Sequence, residues 1–162
     1  MPHLVYLSLG SNLGDREAHL HEAITRLGAS GHIVSVSSLY ETEPVEVTDQ
    51  AWFLNCAVAL KTAASPEELM AAILRIEQQM GRKRIQRKGP RIIDIDILLF
   101  DDAILDSPAL TIPHPAMLGR RFVLQPLAEI APEVRHPVRK RTIQELLDAL
   151  PAGQTVRRYQ NN

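Results

Sequence analysis

At 162 residues and a formal net charge of -1, the chain is long enough for one sizeable core and has no overall charge to draw it to nucleic acid or an anionic membrane. Its 45% hydrophobic and 23% charged residues are the balance of a globular domain, which excludes a disordered or fibrous chain. No apolar run approaches a membrane span and Met1 to Tyr6 lacks a signal pattern, so one cytoplasmic domain over residues 1–162 is expected.

Leu4 to Leu9 is apolar and β-rich, and closes on the turn chemistry of Gly10-Ser11-Asn12. A helix is predicted from Asp15 to Leu27, because Ala18, Leu20, Ala23, Ile24 and Leu27 recur near helical spacing. Gly28 and Gly31 punctuate its end. Ile33 to Tyr40 reads as a second strand, and the polar stretch Glu41 to Gln50 as a loop of functional length. Phe53 to Thr62 is a third strand whose unbroken apolar character predicts a central place in a sheet. It contains the single cysteine, Cys56, which is expected to be buried and inert.

Ser65 then caps a helix with Pro66 at its first position and Glu67 and Glu68 in the first turn. Leu69, Ile73, Ile76 and Met80 form its buried stripe, and Gly81 stops it. Ile92 to Phe100 is the fourth strand, with Ala103 to Leu105 expected to return beside it as a hairpin across Asp101-Asp102. Beyond lie a Pro-punctuated loop, helices near Phe122 to Ile130 and Thr142 to Leu150, and an end from Gln154 to Asn162 that could form a strand or fray. The order β-α-β-β-α-β predicts an α+β, ferredoxin-like core. Its sheet is mainly antiparallel, with helices packed on it and extra C-terminal elements.

Chemistry concentrates between Gly81 and Asp96. Arg82, Lys83, Arg84, Arg87, Lys88 and Arg91 are six of the eighteen Lys and Arg residues, and they flank Gly89-Pro90, a loop signal. A solvated basic loop is the ordinary reading of such a run. The next strand argues for more. In Asp94-Ile95-Asp96 two carboxylates one residue apart share a strand face among Ile93, Ile97, Leu98, Leu99 and Phe100. An exposed acidic edge strand would carry the same pattern. Crowded carboxylates that lose hydration need a cation, however, and an all-oxygen donor set suits Mg2+ better than zinc. Arginines add bidentate phosphate contacts, and magnesium with arginine is the usual equipment of phosphoryl transfer. The chain lacks a G-x-x-x-x-G-K motif followed by Ser or Thr, so side chains and metal would hold the nucleotide phosphates.

The chain resembles the 6-hydroxymethyl-7,8-dihydropterin pyrophosphokinase family. The most specific match is Arg87-Lys88-Gly89-Pro90-Arg91-Ile92-Ile93-Asp94-Ile95-Asp96-Ile97-Leu98. Leu9-Gly10-Ser11-Asn12-Leu13, Ser37-Ser38-Leu39-Tyr40-Glu41-Thr42, Phe53-Leu54-Asn55 and Ile112-Pro113-His114-Pro115 support it, in the family's order. The resemblance implies transfer of the β,γ-diphosphoryl unit of ATP to the pterin hydroxymethyl group, leaving AMP, in folate biosynthesis. By that match Asp94 and Asp96 would bind two Mg2+ ions. Arg82 and Arg91 would stabilise the transferred group, and Arg84 and Arg87 would help the loop close over ATP. Glu77, Ile97, Thr111, His114 and Arg120 fall at nucleotide positions. Thr42, Pro44, Val45, Phe53, Asn55 and Phe122 fall at pterin positions. Lys88 departs from the family, many members of which carry an aromatic residue there.

A flat heterocycle edged with hydrogen-bonding groups needs aromatic faces and amides, and Phe53, Phe122 and Asn55 supply them. The expected partners are ATP and 6-hydroxymethyl-7,8-dihydropterin, with no nucleic acid or membrane, acting on a monomer. Two other readings are a metal-dependent phosphodiesterase using the same aspartates, and an RNA-gripping module with no chemistry. The near-zero net charge and the lack of aromatics within the basic loop count against both.

Overall fold

Alternation along β1 (His3–Ser11) organises the molecule: Val5, Leu7 and Leu9 are fully buried on one side, and Tyr6 packs on the other. The computed structural model describes residues 2–43, 51–81, 91–153 and 155–159. After β1 come α1 (Arg16–Leu27), β2 (His32–Val36), β3 (Tyr40–Thr42), β4 (Phe53–Thr62), α2 (Pro66–Gln79) and β5 (Asp94–Phe100). A small hairpin of β6 (Leu105–Asp106) and β7 (Thr111–Ile112) leads to α3 (Arg121–Ile130), α4 (Ile143–Asp148) and β8 (Val156–Arg158).

The main sheet has the order β5-β1-β4-β3-β8, with β2 also paired to β4. All its pairings are antiparallel. With β2 and β3 taken as one interrupted strand, the core order is fourth, first, third, second, the ferredoxin-like arrangement that the sequence predicts. Helices α1 and α2 cover one face through Leu20, Ala23, Leu27, Leu69, Ile73 and Ile76. Helices α3 and α4 cover the far part of the other face through Val123, Leu124, Leu127, Ala128 and Ile143. Burial from both sides explains why β4 and β5 read as unbroken apolar runs instead of alternating. No helix among the described residues is long and apolar enough to cross a membrane.

Local chemistry sets the boundaries. The Ser65 hydroxyl accepts from the Glu68 amide at 3.1 Å, and the Glu68 carboxylate takes the Ser65 amide at 2.9 Å, a complete capping box starting α2. Cys56 is buried, as expected, and burial pushes its thiol up to about 12. The predicted strand Ile33 to Tyr40 is interrupted in its middle. There the Ser37 hydroxyl accepts the Ala57 amide at 2.8 Å, while the Glu129 carboxylate takes the Ser38 amide at 2.9 Å. The expected hairpin across Asp101-Asp102 does not form. Asp101, at φ 49, closes back on β1 by exchanging backbone and side-chain hydrogen bonds with Leu4, so the chain leaves the sheet. Leu105 pairs instead with Ile112.

The connection from α3 to α4 turns on a buried imidazole. His136 Nδ1 accepts from the Val138 and Arg139 amides at 3.2 and 3.1 Å. Burial, and then the nearby Arg139 charge, hold it below the ordinary imidazole value. The unfolded chain therefore binds this proton more readily. Stability contributed here is present above the unfolded value of about 6.5 and is lost as pH falls from there toward the folded value. Asn at position 136 keeps an acceptor near Nδ1 but cannot take the proton. Denaturant unfolding of His136→Asn between pH 7.5 and 5 should show a shallower loss of stability than the parent chain; parallel losses would contradict the assignment.

Candidate functional site

Strand register lines the site up. Asp94 lies opposite Gly10, Gly10 opposite Asn55, Asn55 opposite Tyr40 and Tyr40 opposite Arg158, so one row crosses five strands on one face. Asp96, Ser8 and Ala57 form the adjacent row, and Thr42 lies opposite Phe53. Directly paired residues share a face. The face is the one that α3 covers farther along. Asp94 and Asn55 stand two strand spacings, about 10 Å, apart across Gly10.

At the β5 end, Arg91 Nη1 donates to Asp94 Oδ2 at 2.8 Å, so the cation that Asp94 requires is partly supplied from three residues away. Asp96 is more open, with a side chain 45% exposed. His114 reaches it from the loop after β7, its Nε2 lying 3.7 Å from Asp96 Oδ1. The His114 amide donates to the Leu98 carbonyl, and Nδ1 accepts from the Ala116 amide at 3.1 Å, which leaves the ring proton on Nε2, facing Asp96. Burial pushes His114 below the usual imidazole value; the Asp96 charge opposes this, and the Arg120 charge adds to it. The outcome is a neutral donor between a carboxylate and a guanidinium. Arg120 also lies over the Phe122 ring, 5.6 Å from its centroid.

At the β3–β4 end, among the described residues, two buried oxygens stand without a hydrogen-bond partner: Thr42 Oγ1 and Asn55 Oδ1. Such atoms carry a desolvation cost that an incoming N–H group would relieve. The Asn55 amide leans over Gly10, so close that a Cβ on Gly10 would meet Asn55 Nδ2 at 2.7 Å. The Phe53 ring borders the same spot.

Other expected residues are placed less directly. Glu77 is buried and accepts the Ile95 amide at 2.9 Å, bracing β5 between its two aspartates. The Ile97 side chain points into the opposite core, which leaves only its backbone for the site side. Thr111 opens β7, half-buried. Pro44, Val45, Arg82, Arg84, Arg87 and Lys88 lie outside the described residues. Among the described residues no cluster of three or more His, Cys, Asp or Glu could hold a metal.

The sequence reading assigned Asn12 no role. Its amide donates to the Arg91 carbonyl at 3.0 Å and its Oδ1 accepts the Arg91 amide at 2.6 Å, which fixes the backbone from which Arg91 reaches Asp94. Its sequence signals were the turn chemistry of Gly10-Ser11-Asn12 and its place in the matching block Leu9-Gly10-Ser11-Asn12-Leu13.

The described residues thus set a carboxylate pair, with Arg91 and His114 beside it, on the same sheet face as the buried Thr42 and Asn55 oxygens. Residues 6–132 match the family model for 7,8-dihydro-6-hydroxymethylpterin-pyrophosphokinase, and the chain belongs to that family. A Bacillus subtilis 2-amino-4-hydroxy-6-hydroxymethyldihydropteridine pyrophosphokinase is 48% identical over 136 residues, covering 83% of this chain and 81% of the relative. A Methylorubrum extorquens protein of the same name is 44% identical, covering 91% and 94%. The Schizosaccharomyces pombe folic acid synthesis protein fol1 is 43% identical over 96% of this chain, which spans only 21% of that relative's length. Among solved structures, a Plasmodium falciparum HPPK-DHPS with pterin and p-hydrobenzoate matches with a TM-score of 0.71. It is 21% identical, covering 91% of this chain and 44% of the other, a likeness of fold.

The close approach at Gly10 yields a direct check. Gly10→Ala must displace the Asn55 amide, so it should lower unfolding stability by about 1–3 kcal/mol in denaturant titrations. An unchanged midpoint would mean that Asn55 does not lie over Gly10.

Proposed function

We propose that this chain transfers the β,γ-diphosphoryl unit of ATP to the hydroxymethyl group of 6-hydroxymethyl-7,8-dihydropterin, giving AMP and the pterin diphosphate for folate biosynthesis. The observation that carries the reading is the pair of unpartnered buried oxygens, Thr42 Oγ1 and Asn55 Oδ1, on the same sheet face as Asp94 and Asp96. They offer acceptors to the amino and ring N–H groups of a pterin edge, while the aspartates and basic residues take the phosphates.

In balance, the hydroxymethyl oxygen bonds to the β-phosphorus. The bond from that phosphorus to the oxygen bridging the α-phosphorus breaks, that oxygen leaves with AMP, and the hydroxyl proton passes to solvent. Asp94 and Asp96 would hold Mg2+, two ions in this reading, which when bound neutralises phosphate oxygens and draws electron density from the β-phosphorus. Arg82 and Arg91 would stabilise charge on the transferred group, with Arg84 and Arg87 on the remaining phosphate oxygens. His114 would donate its Nε2 proton to a phosphate oxygen, and Arg120 would add charge beside it. Glu77, Thr111 and the Ile97 backbone would border the nucleotide, with Glu77 acting through the Ile95 amide it holds. Phe53 and Phe122 would stack on the pterin, with Pro44 and Val45 completing its pocket. The protein is taken to act as a monomer in the cytoplasm, with no nucleic-acid partner.

Incubation with ATP, Mg2+ and the hydroxymethyl-dihydropterin should yield AMP only when the pterin is present; a folded sample that forms none would sink the proposal. Asp96→Ala should lose metal-dependent turnover at an unchanged melting temperature, and surviving turnover would remove Asp96 from the metal site. Thr42→Val deletes an unpaired buried hydroxyl, so it should raise stability by about 1 kcal/mol while weakening pterin binding. A variant of lower stability with unimpaired binding would show that Thr42 is not an unsatisfied acceptor of the substrate.

A further inference from the structure

Behind the acceptor slot, on the reverse face of the sheet, four residues close a ring. Glu41 and Arg157 are register partners between β3 and β8, and Arg157 Nη2 lies 3.4 Å from Glu41 Oε1. The other Glu41 oxygen takes Arg16 Nη2 at 3.1 Å. Arg16 Nη1 donates to the Trp52 carbonyl at 2.8 Å. The Arg157 guanidinium in turn lies over the Trp52 ring, 4.5 Å from its centroid, and so completes the circuit.

The ring ties four separate pieces of chain: β8, β3, the first turn of α1, and the residue just before β4. Its members stand next to the acceptor residues. Glu41 is flanked by Tyr40 and Thr42, and Trp52 precedes Phe53 and is three residues from Asn55. Strand β3 is only three residues long and lies in the sheet between β4 and the short strand β8. Further ties on β8 are the Glu43 amide to the Thr155 carbonyl at 3.3 Å and the Tyr159 amide to the Leu39 carbonyl at 2.8 Å. The matched family span ends at residue 132, so β8 lies beyond it.

We propose that Arg157 is a positioning residue for the acceptor: through Glu41 and Trp52 it sets β3 against β4 so that Thr42 and Asn55 meet the pterin edge together. The proposal rests on the pterin-site reading given above. Among the described residues Arg157 pairs with Glu41 and stacks on Trp52, on the sheet face opposite Asp94 and Asp96. Its loss should therefore loosen the acceptor half alone, because three strands separate β8 from β5, which with the loop beside it bears Asp94, Asp96 and His114.

The test is steady-state kinetics of full-length Arg157→Ala, Arg157→Lys and Glu41→Gln, with pterin and ATP varied separately, and calorimetric binding of the pterin. One guanidinium stacking and one exposed ion pair are lost in Arg157→Ala, so KM for the pterin should rise roughly three- to tenfold. kcat and KM for ATP should stay within about twofold, a factor well inside the single-interaction range. Arg157→Lys, which keeps the charge but not the planar stack, should fall between. Arg157→Ala combined with Glu41→Gln should cost less than the sum of the two, because both break one ring. An unchanged pterin KM, equal rises for both substrates, or strict additivity would overturn the inference while leaving the reaction standing. A parent chain without pterin-dependent AMP would remove both.

Discussion

The register of β1 against β5 and β4 is the constraint on which the site depends. It sets Asp94, Gly10 and Asn55 in one row, with a glycine between the carboxylate proposed to handle phosphate and the amide proposed to read the heterocycle. A slip of one residue in either pairing would send one half of the site into the α1–α2 core. The pairing of β1 with β5 shifts between Tyr6 and Leu7, where Leu98 is the extra residue. Because of that bulge, Leu98 and Leu99 both pack toward α3, while the aspartates beyond keep their alternation. The far part of the face is therefore sealed and the near part polar, within the same strands.

The two halves meet their electrostatic demands differently. Around Asp94 and Asp96 the compensation is present already in Arg91, His114 and Arg120, groups of the kind that also serve phosphate oxygens. At Thr42 and Asn55 no described group compensates, and the unpaired oxygens are a standing cost that a ligand with matching donors would remove. Selectivity follows: a ring without those donors would leave both oxygens unpaired and lose the gain. The network of Glu129 with Ser38, Tyr40 and Arg158 holds the strand that bears Thr42 against α3. Burial opposes the Glu129 charge, but the hydrogen bonds from Tyr40 and Ser38, with Arg158, hold its carboxyl below the usual range.

Much of this was legible in the sequence wherever the physics is local. The shared face of Asp94 and Asp96 follows from a period of two. The start of α2 follows from Ser65, Pro66 and Glu68, and the central place of β4 from its unbroken apolar run. What escaped depends on partners distant in sequence. The strand expected from Ile33 to Tyr40 breaks because Glu129, 91 residues from Ser38, captures a backbone amide. Asp101 looked like a hairpin turn, yet its side chain closes on Leu4, 97 residues away. Likewise Arg157 pairs with Glu41 across 116 residues, and neither position is unusual in composition. The resemblance supplied candidate site residues but no role for Asn12, whose hold on the Arg91 backbone depends on a partner 79 residues away.

The central claim is that one sheet face delivers a diphosphoryl unit to a pterin, and the position of bond cleavage tests it most directly. Phosphorus NMR of a reaction containing ATP, Mg2+, the hydroxymethyl-dihydropterin and this chain should show AMP and a pterin-bound diphosphate growing in equal amounts. ADP with a pterin monophosphate, or AMP with free diphosphate regardless of the pterin, would contradict the account.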